Sequence, residues 1–230
     1  KYILNGTKLF VSNGDTADYF IVAARTSESK NPEKGITLFI VPSSSKGISE
    51  TSLKTVASDH QSELVFENVT LSTSTILGKK DRGWPIVQKI LEYAAVGKCA
   101  EMIGGAEKVL DMTLDYVKQR KQFGKPIGSF QAIQHHCANM ATDVETSKYI
   151  TYQAAWKLGT GSEASIEAAT AKAWVSEAYK RICALAHQCH GAIGFTKEHD
   201  LQLYTRRAKA AELAFGNADF HLEMVAQSID

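Results

Sequence analysis

Two short segments of this 230-residue chain carry residues whose types and spacing could do chemistry. Gln119-Arg120-Lys121-Gln122-Phe123-Gly124-Lys125-Pro126 sets an arginine, an amide and an aromatic together at the end of a long helical pattern. The arginine could hold a phosphate as a two-pronged charged donor, and the phenylalanine could stack on a flat ring. Gln188-Cys189-His190-Gly191-Ala192-Ile193-Gly194-Phe195 places an amide just before a small-residue turn, where backbone can approach a ligand closely. Periodicity alone reads both segments as ordinary helix ends, and that alternative stands at this point. A metal reading is weaker. Cys183, His187, Cys189 and His190 lie close together, but their spacing fits neither C-x₂-C nor H-E-x-x-H. They read instead as histidines facing a helix C-terminus that glycine ends, with no metal site expected. His135-His136 reads as helix surface, and no serine or cysteine is paired with a base by spacing.

Those segments need elements to position them, and the chain has two grammars. From residue 1 to about 70, short β-branched and aromatic runs alternate with turn signals. Asn5-Gly6 reads as a type I′ hairpin turn. Leu9–Ser12 reads as a strand ended by Asn13-Gly14. Tyr19–Ala24 and Ile36–Val41 follow, the second stopped by Pro42, and then the weaker runs Ile48–Val56 and Glu63–Val69. No helix-length segment separates them, so an antiparallel sheet is expected, packed as a small barrel or sandwich. After a polar linker, Ser72 to Arg82, helical periodicity takes over. Pro85 suits a first turn. One helix runs through Ile86–Tyr116 and ends near Gly124. A second runs from Ser129, read as its N-cap, to Leu158. A third covers about Ser162–Cys189, and a fourth Asp200–Ser228 with a break available at Gly216. The fold class is α+β, an antiparallel β barrel or sandwich followed by an antiparallel four-helix bundle, with domains at 1–75 and 76–230.

Composition narrows the functional classes. Charged residues make up 22% of the chain, and 26 basic against 25 acidic residues leave a formal charge of +1. That balance gives no electrostatic case for nucleic acid or a membrane surface. No apolar run reaches the ~20 residues of a membrane span. Four scattered cysteines form no disulfide framework, so a reducing compartment, the cytoplasm, is expected.

At four places the residues resemble one family. Lys8-Leu9-Phe10-Val11-Ser12-Asn13-Gly14 resembles the "K-x-W/F-I-T/S-N-G" strand of acyl-CoA dehydrogenases. Arg120-Lys-Gln-Phe-Gly124 with Gln131, and Gly191-Ala-Ile-Gly-Phe195 running through Glu198-His199-Asp200 to Tyr204, look like that family's bundle. The motifs occur in family order over nearly the whole chain. The resemblance implies an FAD oxidoreductase that removes hydrogen from the α and β carbons of an acyl-CoA thioester and passes electrons to an electron-transfer flavoprotein. It places Phe10, Val11 and Ser12 beside the flavin ring. It directs Arg120, Gln122, Phe123 and Gln131 to the FAD held mainly by a neighbouring subunit. Gln188, Gly191 and Ala192 would meet that cofactor's phosphate–adenosine stretch, with Asn217 and Asp219 nearby. Tyr93, Ala94, Phe215 and Gly216 take substrate-facing positions. The family is typically a homotetramer, a dimer of dimers.

The pattern breaks in three places. Ala214-Phe215-Gly216 puts phenylalanine where the family has its catalytic glutamate, and Ala94 occupies the alternative base position. Removing an α-proton needs a desolvated base near working pH. Glu101, two turns beyond Ala94, is the replacement expected, ahead of Glu92 and Glu212. Ala95 stands where a substrate-contacting arginine is usual. Third, the chain begins inside the β domain, so a fragment lacking the family's N-terminal helical domain is expected. The alternative is a non-catalytic, flavin-supporting subunit of a hetero-oligomer whose partner supplies the glutamate. The bulk of Phe215 points to a pocket reshaped for a cyclic or branched acyl group.

Overall fold

In the computed structural model, residues 1–229 are described. Contacts divide the chain into two compact units, Lys1–Ile90 and Leu91 onward. In the first, β1 (Tyr2–Ser12), β2 (Tyr19–Arg25), β3 (Ile36–Pro42), β4 (Ile48–Leu53), β5 (Gln61–Leu71) and β6 (Ile76–Leu77) form two three-stranded antiparallel sheets. Their orders are β1-β5-β4 and β2-β3-β6. Alternation drives the pairing: Phe20 and Val22 point inward along β2 while Tyr19 and Ile21 face out. Leu4, Leu64, Phe66, Val69 and Leu71 from one sheet share a core with Phe20, Val22, Phe39 and Val41 from the other. Each large side chain buried there contributes about 1.5–3 kcal/mol. The sheets stay separate and close no barrel.

Asn5-Gly6 makes no hairpin. β1 runs straight through it and pairs with β5, with a register shift between Leu4 and Gly6. The Asn5 side-chain oxygen accepts from the Asn68 N–H at 2.7 Å, and Gly6 takes φ +143°, so the dipeptide is used for a bulge. Part of the segment read as a linker adds β6 to the edge of β3.

Helix α1 (Trp84–Gln119) is 36 residues long, with Pro85 in its first turn. A two-stranded ribbon, β7 (Lys121–Gln122) and β8 (Lys125–Pro126), follows it. α2 (Gln131–Gly159), α3 (Ser165–His190), α4 (Leu201–Leu213) and α5 (Ala218–Gln227) complete the second unit. Ser129 is not the cap of α2. It sits in a single 3₁₀ turn and donates to the Pro126 carbonyl at 2.7 Å, and Phe130 takes the cap position with no side-chain bond. The last helical stretch does break at Gly216. Asn217 then caps α5, its side-chain oxygen accepting from the Phe220 N–H at 3.0 Å. α3 packs against α2, α4 and α5. Ala168, Ala171, Val175, Ala178, Ile182 and Ala186 form its buried stripe, small enough for close helix approach. Among the described residues no helix is long and apolar enough to cross a membrane.

The bundle also buries thiols. Burial pushes Cys99 and Cys183 up to about 12 and Cys189 to about 11, from a usual 9.0. A raised acid stabilises the fold fully below its unfolded pKa and loses that contribution as pH climbs toward the folded one. Across pH 9 to 11 these thiols should therefore lower the unfolding free energy obtained from denaturant titration, by about 1.4 kcal/mol per thiol per pH unit. Replacing the three cysteines with alanine should flatten that slope, and an unchanged slope would show that the thiols do not govern it.

Candidate functional site

The residues singled out by chemistry occupy four turns and one helix face. The ribbon after α1 pairs Lys121 with Pro126 and Gln122 with Lys125, leaving Phe123-Gly124 as a two-residue loop. Both loop residues have positive φ, +53° and +78°, as a type I′ turn requires. Asparagine is common at the first of these positions and a bulky aromatic is strained there. Phe123 is nonetheless 92% exposed, its ring touching only the edge of Phe130 at 6.0 Å between centroids. Arg120, Gln122 and Gln131 are exposed around it. No ion pair of Arg120 exists among the described residues, so its guanidinium stands uncompensated. An exposed cation before the ribbon, an exposed ring and amide on it, and a second exposed amide at the start of α2 are groups that suit a phosphorylated aromatic ligand.

The second turn closes α3. Gly191 takes φ +65° and ψ −145°, and its N–H bonds the His187 carbonyl. Gln188 and Ala192 are exposed beside it, on the wall of a cavity of about 740 Å³ that Lys180, His187 and Lys209 also line. Of its lining residues, His187 stacks on Phe195 at 4.3 Å and lies 2.8 Å from Thr205 Oγ1 through Nε2, and outside the lining His190 stacks on Tyr116 at 4.5 Å. Burial lowers both histidines from their usual value, with neighbouring histidine charges adding to the shift. They are neutral rings packed for shape. Among the described residues no group of three or more metal-ligating side chains gathers.

The third turn, Ala214–Asn217, joins α4 to α5. Phe215 sits at φ +58° and is 43% exposed, and Gly216 sits at φ +98°. A Cβ on Gly216 would lie 2.5 Å from Phe220 Cδ1, so both conformation and space demand glycine. Asp219 is exposed in the first turn of α5. Two buried groups that the sequence reading missed hold this turn. Lys172, fully buried on α3, donates to Gly216 O at 2.8 Å, Glu212 O at 2.9 Å and Ser176 Oγ at 3.0 Å. His221 donates from Nε2 to Phe215 O at 2.9 Å. A lysine inside an alanine-rich helical stripe was the available signal, but its partners are backbone carbonyls and carry no residue identity.

The candidate bases lie elsewhere. Glu101 is on the exposed face of α1, its side chain 60% exposed and 2.5 Å from Lys98 Nζ. Burial would raise Glu212, but hydrogen bonds and charge from Lys209 and Lys180 outweigh it and hold the carboxyl below its usual range. Tyr93 is half exposed and donates to the Leu158 carbonyl at 3.2 Å, and Ala94 is half-buried.

The fourth turn is a bulge in the first unit. β1 shifts register between Lys8 and Val11, which leaves Phe10 at φ +56° and 69% exposed. Val11 packs on the β core, and Ser12 Oγ accepts from Gln61 Nε2 at 3.1 Å.

Comparison with known proteins gives these turns a context. Residues 81–229 match the model of the acyl-CoA dehydrogenase C-terminal domain, and residues 1–69 that of the middle domain. A 3-(aryl)acrylate reductase of Clostridium sporogenes is 35% identical over 99% of this chain and 61% of its own length. The structure of butyryl-CoA dehydrogenase from Megasphaera elsdenii superposes with a TM-score of 0.95 at 32% identity, over 99% of this chain and 60% of that one. PigA with FAD and proline superposes at 0.94 and 28% identity, over 99% and 60%. The chain thus spans about three-fifths of the length of the relatives it matches.

Relief of strain gives a direct check on the ribbon. Replacing Phe123 with asparagine should raise stability by about 1 kcal/mol in denaturant titration, the scale of a left-handed bulky residue. A loss of stability would mean that the ring supports the fold.

Proposed function

The chain belongs to the acyl-CoA dehydrogenase family, and on that premise we propose that it forms part of an FAD-dependent oxidoreductase acting on the α,β carbon pair of an acyl-CoA thioester. The observation that carries this reading is the Arg120–Phe123 ribbon, where an uncompensated cation and a strained, solvent-facing ring occupy the positions that the family resemblance gives to FAD contacts. Bound FAD would supply the two-electron redox partner. Arg120 would neutralise pyrophosphate, Phe123 would offer a flat face to an aromatic ring, and Gln122 and Gln131 would fix orientation through their amides. Gln188, Gly191 and Ala192 line a concave surface where small residues let a ligand come close, which fits a phosphate–adenosine stretch. Phe10, Val11 and Ser12 supply an apolar and hydroxyl edge suited to a flavin ring, and Asn217 and Asp219 a polar one near the α4–α5 turn. Tyr93, Ala94, Phe215 and Gly216 would face the acyl thioester. An electron-transfer flavoprotein is the proposed redox partner. A homotetramer is the proposed assembly, supported by Tyr149, Tyr152 and Trp156, which face solvent along α2 at helical spacing.

The domain division proposed is a middle β domain over 1–75 and a helical domain over 76–230.

Phe215 supports a second reading. Neither Ala94 nor Phe215 can accept a proton, Glu212 is held ionised by two lysines, and Glu101 is solvated and paired with Lys98. A base for thioester chemistry needs burial to bring its pKa toward neutrality. In this reading the chain supports flavin within a hetero-oligomer and another subunit brings the carboxylate.

Anaerobic bleaching of the flavin by a panel of acyl-CoAs, in the full-length purified protein, tests both. Bleaching that slows about 10²-fold or more in Glu101→Gln assigns the base to Glu101. If wild type does not bleach but Phe215→Glu does, the supporting-subunit reading holds. Bleaching unaffected by Glu101→Gln removes that residue from catalysis, and a flavin unmoved by every acyl-CoA in both proteins overturns the oxidoreductase reading.

A further inference from the structure

Lys172 is a buried cation whose hydrogen bonds go to no carboxylate among the described residues. Its three donors are all used, on Ser176 Oγ, Glu212 O and Gly216 O. Two of the acceptors are unusual partners for a lysine. Glu212 belongs to the last turn of α4, where carbonyls lack intrahelical donors. Gly216 follows the strained Phe215 directly. One ammonium therefore joins the end of a helix to the far side of the turn that leaves it, and spans the residue whose ring faces outward. His221 reaches the same turn from α5, through the Phe215 carbonyl. Without these donors, the carbonyls of Glu212, Phe215 and Gly216 would lose the partners that hold the turn.

We infer that Lys172 is the positioning residue of the Phe215 turn, its buried ammonium holding Glu212 and Gly216 so that the Phe215 ring is presented outward from a left-handed backbone. Lys172 does not touch substrate. It acts through the turn, and His221 assists it. The groups that face it are Cys99 and Lys98 from α1, Ser176 from its own helix, Glu212 from α4 and His221 from α5. The geometry stands by itself, whereas its consequence for ligand binding rests on the proposed function.

The test uses the full-length protein with amide hydrogen exchange as its first readout. Lys172→Met keeps the length of the side chain and removes the donors. Exchange across 213–217 should accelerate about tenfold or more, the scale of lost charged hydrogen bonds, while α3 amides at 178–182 stay protected. Ser176→Ala, which leaves both carbonyl bonds, should leave the turn unchanged. If Lys172→Met does not fold, the wild-type protein answers by carbonyl carbon resonances. Those of Glu212 and Gly216 should move with one midpoint, shared with the Lys172 side chain, as pH is raised. Unaltered exchange at 213–217 in folded Lys172→Met, or carbonyl resonances that ignore the lysine, would overturn the inference. The second readout is the affinity for an acyl-CoA, followed by flavin absorbance. It should weaken in Lys172→Met with flavin content unchanged. Should no acyl-CoA perturb the wild-type flavin, the proposed function fails while the exchange result still decides the role of Lys172.

Discussion

A positive charge buried in the middle of the helical unit constrains much of what surrounds it. An ammonium out of water costs several kcal/mol, and Lys172 is pushed down to about 8 chiefly by that burial. Three hydrogen bonds from a charged donor, at about 1.5–3 kcal/mol each, offset much of the cost but not all of it, and the lysine stays below its usual value. The acceptors are carbonyls that the end of α4 would otherwise leave bare. Helix end and lysine thus satisfy each other, and α4 has to stop where it does. Small residues make the arrangement possible, because the alanines of α3 let neighbouring helices come close enough for one side chain to reach both carbonyls.

Strain is the second thread. Phe10, Phe123 and Phe215 all hold left-handed backbone and all expose their rings. Each such residue costs on the order of 1–3 kcal/mol, and the exposed ring recovers little of it by burial. The three lie in separate elements: a bulge in β1, the loop of the β7–β8 ribbon, and the α4–α5 turn. Each coincides with a segment that the family resemblance had already assigned to flavin or substrate. Folding alone gives no reason for a phenylalanine at any of them, and ligand contact gives one. The candidate carboxylates show the opposite economy: Glu101 and Glu212 are ion-paired with lysines, and the lysines beside Glu212 hold it below its usual range.

Much of this was legible in the residues. β-branched and aromatic runs between turn signals marked β2 and β3, Gly216 marked the break between α4 and α5, and three- and four-residue spacing marked α1. Three features were not. Asn5-Gly6 carries a hairpin signature, yet a distant partner, the Asn68 N–H, turns it into a bulge. The choice between a closed barrel and two sheets depends on which strands pair across long separations, and local pattern is silent about that. The ribbon at 121–126 was hidden because Phe123 is an unusual residue for its turn. Of the site, the exposed residues could be found by type, while Lys172 and His221 could not, since their partners are main-chain atoms.

The central claim is that the exposed turns of this chain hold a flavin dinucleotide, and flavin content tests it most directly. The full-length protein should purify yellow with stoichiometric FAD, and Arg120→Ala and Gln188→Ala should each weaken FAD binding about tenfold, the loss expected for one charged or cavity-lining hydrogen-bond donor. A colourless protein that fails to take up added FAD, or FAD binding indifferent to both substitutions, would contradict the account.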